Sequence, residues 1–337
     1  MSGMQAVRNV LRGVVGTILM AAVALAGGPA AGAQKVDVRF RLDWFPKGIH
    51  SLFWTAKAKG FYDEQNLTVT IVTGDGSGNT IKLVGSGEFD FGFADGPTGV
   101  VGRSRGIPVV AIGSVHQKNP QGIVSLKETG ITKPKDLEGK TFAIQPQSST
   151  YPFWLAFARM NDIDRSKVRE INTPGEVPLF ILEKKVDASA VLYDNEFITI
   201  ESKAGGPGST NFLLGYDYGF KAYGHSLFTN EKTLKERPDV VRRFLVATQK
   251  GMRYAMEHQK EAIDILLKQF RDLDRGIVER HLAYGTKALF SSPDTERNGP
   301  LWMVKEQWES TQQVLVEQKV SAGPIDVAKF FTTEFLK

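Results

Sequence analysis

Residues Val36-Asp37-Val38-Arg39-Phe40-Arg41-Leu42 alternate apolar and polar side chains, and Asp43-Trp44-Phe45-Pro46 follows without a break. The period of two predicts a half-buried strand over 36–42. Pro46 has no N–H to give to a sheet, so pairing stops there. Trp44 and Phe45 offer flat apolar surface, and Asp43 offers a charge or an acceptor. They stand beyond the carboxyl end of a strand, where ligands collect in open α/β sheets. The competing reading is that both rings only cap the core, and this stretch by itself does not choose.

The rest of the chain supplies the context. Ser51 to Lys59 reads as a helix that Gly60 ends at the C′ position, and 68–72 as a second strand. A Gly-rich loop, 74–80, leads into a short helix over 81–86. Phe89 to Phe93 alternates as a third strand, ending at the small-residue turn Ala94-Asp95-Gly96-Pro97-Thr98. Val109 to Gly113 is a continuous apolar run, as expected of a strand buried on both faces, with Ser114 to Gln117 at its end. Further strands are predicted over 122–126, 141–144, 186–192, 212–214 and 225–230, with helices over 151–160 and 178–182. This alternation predicts an α/β protein, its sheet mostly parallel and flanked by helices. After 230 the pattern is helical: 238–258, 263–270, 277–284, 302–317 and 325–335 read as a wrap with no catalytic signature.

Chemistry-bearing residues gather at the predicted strand ends. Besides Asp43, Trp44 and Phe45, these are Asp95, Gln117 and the run Tyr193-Asp194-Asn195-Glu196. Tyr193 would stack, and Asp194 and Glu196 would serve as polar partners. Ser148, Ser149 and Thr150 open the helix over 151–160, and hydroxyls and free N–H groups at a helix start suit an acceptor or anionic atom. His50 and His116, both near predicted strand ends, are kept as ligand contacts. The five histidines show no metal-ligand spacing, so neither metal nor cofactor is expected. The loop Gly74-Asp75-Gly76-Ser77-Gly78 matches neither phosphate fingerprint, and Gly-x-Ser-x-Gly occurs nowhere. An exported hydrolase is therefore the weaker alternative, and the chain is expected not to be an enzyme.

Composition narrows the class. With 337 residues, 42% hydrophobic and 23% charged, the chain suits two soluble lobes. Met1 to Arg12 is basic, Val14 to Ala26 is apolar, and Ala31-Gly32-Ala33 is a small-residue cleavage site. This predicts a signal peptide over 1–33, cleaved near Ala33, and a protein free in the periplasm. Arg8 and Arg12 carry two of the five net positive charges, so about +3 remains, too little and too mixed to argue for nucleic acid. There is no cysteine: disulfides, thiol nucleophiles and a lipoprotein anchor are excluded.

The ordered set resembles a known family. Leu42-Asp43-Trp44-Phe45-Pro46, Ala56-Lys57-Ala58-Lys59-Gly60-Phe61-Tyr62, Leu83-Val84-Gly85-Ser86-Gly87-Glu88-Phe89-Asp90-Phe91-Gly92, Lys135-Asp136-Leu137-Glu138-Gly139-Lys140 and Asp239-Val240-Val241-Arg242-Arg243-Phe244 are similar to the substrate-binding proteins of ABC importers in the NMT1/THI5-like group. That resemblance implies a type II two-lobed fold, each lobe a mostly parallel sheet, joined by two crossover strands. It implies lobe 1 over 34–119 and 224–337, and lobe 2 over 120–223. A small-molecule ligand would sit in the cleft of a monomer and pass to a membrane permease driven by an ATPase. Within the group the stretch most resembles the pyrimidine-precursor branch, where an aromatic wall stacks on a flat ring and an acid takes its amino group. Glu196 sits where that acid is expected, although Asn195 replaces the usual aromatic. Aromatic acids or alkanesulfonates held at Ser148–Thr150 are the alternative ligands. The group also contains fungal enzymes with a cysteine-rich iron site, a reading the absence of cysteine removes.

Overall fold

The computed structural model describes residues 35–173 and 177–336, so the signal-peptide expectation lies outside the described residues. Strand β1, Val36–Arg41, buries Val38 and Phe40 and turns Asp37 and Arg39 outward, the alternation written in its sequence. It lies parallel to β2, Leu67–Val72, in a register from Val36 opposite Leu67 to Arg41 opposite Val72. On its other side runs β3, Phe91–Asp95, also parallel. Next come β10, His225–Asn230, antiparallel to β3, and β4, Val109–Ser114. The first sheet is ordered β2-β1-β3-β10-β4.

The second sheet repeats this plan with β5 Gln121–Leu126, β6 Thr141–Ile144, β7 Arg169–Asn172, β8 Ala188–Leu192 and β9 Thr210–Leu214, ordered β7-β6-β8-β5-β9. Its antiparallel member is β5, which pairs with β8 and β9. In both sheets four strands run one way, and the odd strand is the one entered from the other sheet: β4 leads to β5, and β9 to β10. Their connections, 115–120 and 215–224, hydrogen-bond each other: Ala222 O accepts from Asn119 N at 3.0 Å, and His116 O from Gly224 N at 3.1 Å. This is the two-lobed periplasmic binding protein fold, α/β with two mixed sheets flanked by helices.

Packing explains the helices that position the site. Helix Pro238–Glu257 lays Val241, Phe244 and Leu245 on the first sheet. Phe244 stacks on Phe91 at 4.0 Å and meets Phe40 edge-on at 5.2 Å. Fully burying such a side chain contributes about 1.5–3 kcal/mol. Helix Ser51–Ala58 packs Phe53 against Phe40 and Phe93, and Gly60 follows it with φ +74 in the left-handed cap predicted for it. The chain differs from expectation at several places: the helix expected over 81–86 spans Ser77–Gly85, and of the one expected over 325–335 only Val327–Phe330 is helical. The third strand is two residues later than its alternation suggested, because Asp95 ends it and caps a helix. That helix, Gly96–Ser104, stands where the sequence predicts a turn: Gly96, Gly99 and Gly102 are poor helix formers. Helix Ile198–Lys203 and edge strand β7 were also unforeseen. β7 carries Arg169, Glu170 and Asn172, too polar to signal a strand.

Candidate functional site

The loop after β1 and the turn after β8 face each other. Among the groups lining the space between them are Trp44 from the first sheet, and Gln145, Ser148, Thr150, Ala190, Val191 and Glu196 from the second. The enclosed volume is about 10 Å³, roughly one water position. Trp44 is half-buried and stands edge-on to Phe45 at 5.6 Å, while Phe45 is 50% exposed. The chain bends over 43–45, ahead of Pro46 and Lys47. Lys47 Nζ reaches Glu196 Oε1 at 2.6 Å, an ion pair between the two sheets with both side chains largely buried. Its far side opens on a second pocket of about 280 Å³ that includes Phe45, Pro178 and Asp274.

Glu196 belongs to a single wide turn, Tyr193–Phe197, with Asp194 off the helical conformation at φ −79 and ψ 18. Its second oxygen accepts the Leu192 N–H at 3.2 Å, which aims the carboxylate back across the strand end. Ser148 and Thr150 lie at the start of helix Thr150–Met160; Ser148 Oγ accepts from Thr150 N and Oγ1 at 3.3 and 3.1 Å. Ser149 is buried beside them at the N-cap without a side-chain capping bond.

Behind this space lies a buried network in which four of the five histidines converge. Asp43 accepts from His50 Nε2 at 2.8 Å and His225 Nε2 at 3.0 Å. The His50 tautomer is defined, because its Nδ1 accepts the Lys47 N–H at 3.2 Å. Burial raises the Asp43 carboxyl, but His225 and His50 outweigh it and hold it far below the ordinary range. Burial lowers His225, and Asp43 more than reverses this. His116 meets His225 edge-on at 5.3 Å and lies 3.1 Å from Asp194. Burial pushes Asp95 up to about 6; it caps helix Gly96–Ser104 through Thr98 N and Oγ1, and Asn119 Nδ2 reaches its other oxygen.

The predicted residues therefore divide. Trp44, Ser148, Thr150 and Glu196 share one space, with Ser149 adjoining. Asp43, His50, Asp95 and Asp194 are buried in polar networks behind it. Gln117 bonds Ser114 O, Trp302 O and Ser292 Oγ, away from the space. Tyr193 packs on Phe197 at 4.6 Å and Tyr284 at 4.3 Å in an aromatic cluster. Phe45 faces the outer pocket. Lys47, Gln145, His225 and His281 are not among the residues the sequence singles out, and His116, kept as a ligand contact, lies in the buried network; the Asp43 loop and the strand-opening position of His225 are the available signals. Among the described residues no group of three or more His, Cys, Asp or Glu could hold a metal ion.

Two mixed sheets joined by paired crossovers, with an aromatic and a carboxylate facing across the gap, define a two-lobed binding-protein architecture. The model of the NMT1/THI5-like family matches residues 48–262, and the chain belongs to that family. It is 26% identical over 231 residues to the formylaminopyrimidine-binding protein of Halalkalibacterium halodurans, covering 68% of this chain and 69% of the relative. It is 22% identical over 311 residues to a 4-amino-5-hydroxymethyl-2-methylpyrimidine phosphate synthase of Legionella pneumophila, covering 91% and 94%. Its fold matches the alkanesulfonate-binding protein SsuA of Xanthomonas axonopodis pv. citri, bound to MOPS, with TM-score 0.70, 17% identity and coverage of 89% and 99%.

Proposed function

We propose that this chain is the solute-binding component of an ABC importer, acting as a periplasmic monomer that captures a small planar solute bearing an amino group. The observation that carries this reading is that Trp44 and Glu196 line one space from opposite sheets. A ring stacked on the indole would offer its amino hydrogens to Glu196 and its ring acceptors to the Ser148 and Thr150 hydroxyls. Pyrimidine recognition in the Halalkalibacterium relative supports this ligand class. The alternative, an anionic solute, has in its favour the hydroxyl-rich helix start and the fold of a sulfonate binder. Against it, Lys47 is already paired and Glu196 would oppose the anion.

Lobe 1 comprises 34–119 and 224–337, and lobe 2 comprises 120–223. A volume of about 10 Å³ admits no ring, so entry requires the lobes to part at the paired crossovers. Closure then buries the solute, and the closed form is what a permease and its ATPase would recognise. Micromolar affinity corresponds to about 8 kcal/mol, within reach of one stacked ring and a few buried hydrogen bonds. Capture needs no bond-making group, and we read the chain as a binder although the Legionella relative is named a synthase.

Thermal-shift screening of residues 34–337 against a 4-aminopyrimidine, a flavin, an aromatic carboxylate and an alkanesulfonate tests this. The pyrimidine should raise the melting temperature, since a ligand of the folded state alone stabilises it. Stabilisation by the sulfonate alone would overturn the ligand class, and turnover of the bound compound without partners would overturn the binding-protein reading.

A further inference from the structure

Two histidines grip the same turn. His116 lies on the crossover 115–120, and its Nδ1 accepts the His225 main-chain N–H at 3.3 Å. That leaves the ring proton on Nε2, which faces Asp194 Oδ2 at 3.1 Å. His281 lies on helix Arg275–Tyr284 and repeats the arrangement: Nδ1 accepts the Gly48 N–H at 3.4 Å, and Nε2 donates to the Asn195 carbonyl at 2.9 Å. Asp194 and Asn195 directly precede Glu196. Among the described residues, neither Asp194 oxygen nor His116 Nε2 has an aligned hydrogen-bond partner, so the two side chains meet as a close ion-pair contact.

The backbone is shaped for both approaches. A Cβ on Gly48 would lie 2.6 Å from the Cβ of His281, and one on Gly224 would lie 2.7 Å from the Cβ of His116. Each imidazole thus enters where only glycine lets the chain come close. The turn they hold is the wide turn Tyr193–Phe197, a form frequent at functional sites.

We infer that His116 and His281 are positioning residues for the solute site, fastening the 193–197 turn of lobe 2 to lobe 1 so that Glu196 faces Trp44. The inference rests on the solute-binding reading. Both tautomers require an unprotonated Nδ1, because a second ring proton would point at a main-chain N–H. Around His281 stand Lys47, His50 and Asp194; around His116 stand Asp194, His225 and Asp43, with Phe290 stacked at 5.4 Å. Burial drives His281 down to about 3 and also lowers His116. Parting the lobes returns these rings to water and towards 6.5. The closed form therefore binds fewer protons, and closure is complete above pH 6.5 and weakens as pH falls below it. Asp194, which burial raises but His116 holds low, acts in the same sense below 3.8. The Asp43–His50–His225 cluster lies within lobe 1, and the motion does not divide it.

The absence of cysteine makes the test clean. Lys133→Cys and Lys232→Cys are exposed, one on each lobe, and would carry a pair of spin labels. Interlobe distances are measured from about pH 5.5 to 7.5, with and without a 4-aminopyrimidine. The wild type should favour short distances at the upper end and bind the pyrimidine about tenfold more weakly at the lower end. His116→Phe and His281→Phe should shift the population to long distances, weaken binding about tenfold at the upper end, and flatten the pH profile. His116→Gln, which keeps a donor near the Nε2 position, should restore most of the closed population. If a Phe variant does not fold, Asp194→Asn probes the same contact from the other lobe, and it too should lengthen the distances. Unchanged distances and pH profile in folded variants would overturn the inference. If closure follows these rules but no pyrimidine binds, the fastening stands and the ligand assignment fails. Binding without any change in distance has the reverse meaning.

Discussion

The two aromatic–acid stretches, Asp43-Trp44-Phe45 and Tyr193-Asp194-Asn195-Glu196, each follow the carboxyl end of a strand, β1 in the first sheet and β8 in the second, and divide their labour in opposite ways. In the first, the acid is buried between two imidazoles while the indole faces the shared space. In the second, the aromatic is packed among Phe197, Phe212 and Tyr284 while the terminal acid faces that space. Residue type alone does not assign a role at a strand end. What decides is which side chain the turn points across the gap, and which ones the neighbouring elements can absorb.

The sharpest way to break this symmetry is Asp43→Leu. It leaves His225 and His50 without their acceptor, and removing one partner of a buried ion pair costs about 3–5 kcal/mol. Urea unfolding should show that loss; a change below about 1 kcal/mol would mean that the network contributes little. Next, Tyr193→Ala should cost about 3 kcal/mol of stability, in line with large-to-small aromatic truncations, whereas Trp44→Ala should cost less stability and abolish measurable solute binding. Denaturation and calorimetry on both variants check this crossing of effects, and equal outcomes would erase the distinction. Glu196→Gln keeps the shape but loses the charge, and should weaken binding of an amino-bearing ring by about tenfold in a titration. Phe45→Ala should change stability by under about 0.5 kcal/mol, because the ring is already half in water.

The pH dependence of stability separates the regions as well. Asp43 is held below its ordinary 3.8, so its contribution is complete above that value and is lost as pH falls further. His225 is held above its ordinary 6.5, so its contribution is complete below that value and is lost as pH rises through the raised one. The pair therefore stabilises the fold most between 3.8 and 6.5. In His225→Phe the alkaline decline should flatten, as followed by thermal melts across pH. An unaltered decline would place the titrating group elsewhere.

Much of the architecture was legible because period-two alternation and continuous apolar runs survive folding: the expected strands over 141–144 and 225–230 match β6 and β10. The helix Gly96–Ser104 was not, since its glycines serve close contacts with Trp308, Phe228 and Ile81 that only the fold brings about. For the site, Trp44 and Glu196 were readable as strand-end residues. Of the histidines, His50 and His116 were readable only as lying near strand ends, and His225 and His281 not at all: the four look scattered along the chain, and their convergence comes from the crossovers and from helix Arg275–Tyr284. Lys47 carried no signal either, because its partner is 149 residues away.

On this reading a planar, amino-bearing solute is held between Trp44 and Glu196. Titration calorimetry of residues 34–337 with a 4-aminopyrimidine, repeated with an alkanesulfonate of similar size, tests it most directly. Saturable pyrimidine binding with a negative heat-capacity change, and no heat of binding from the sulfonate, is the expected result. Tight sulfonate binding with none for the pyrimidine would contradict it.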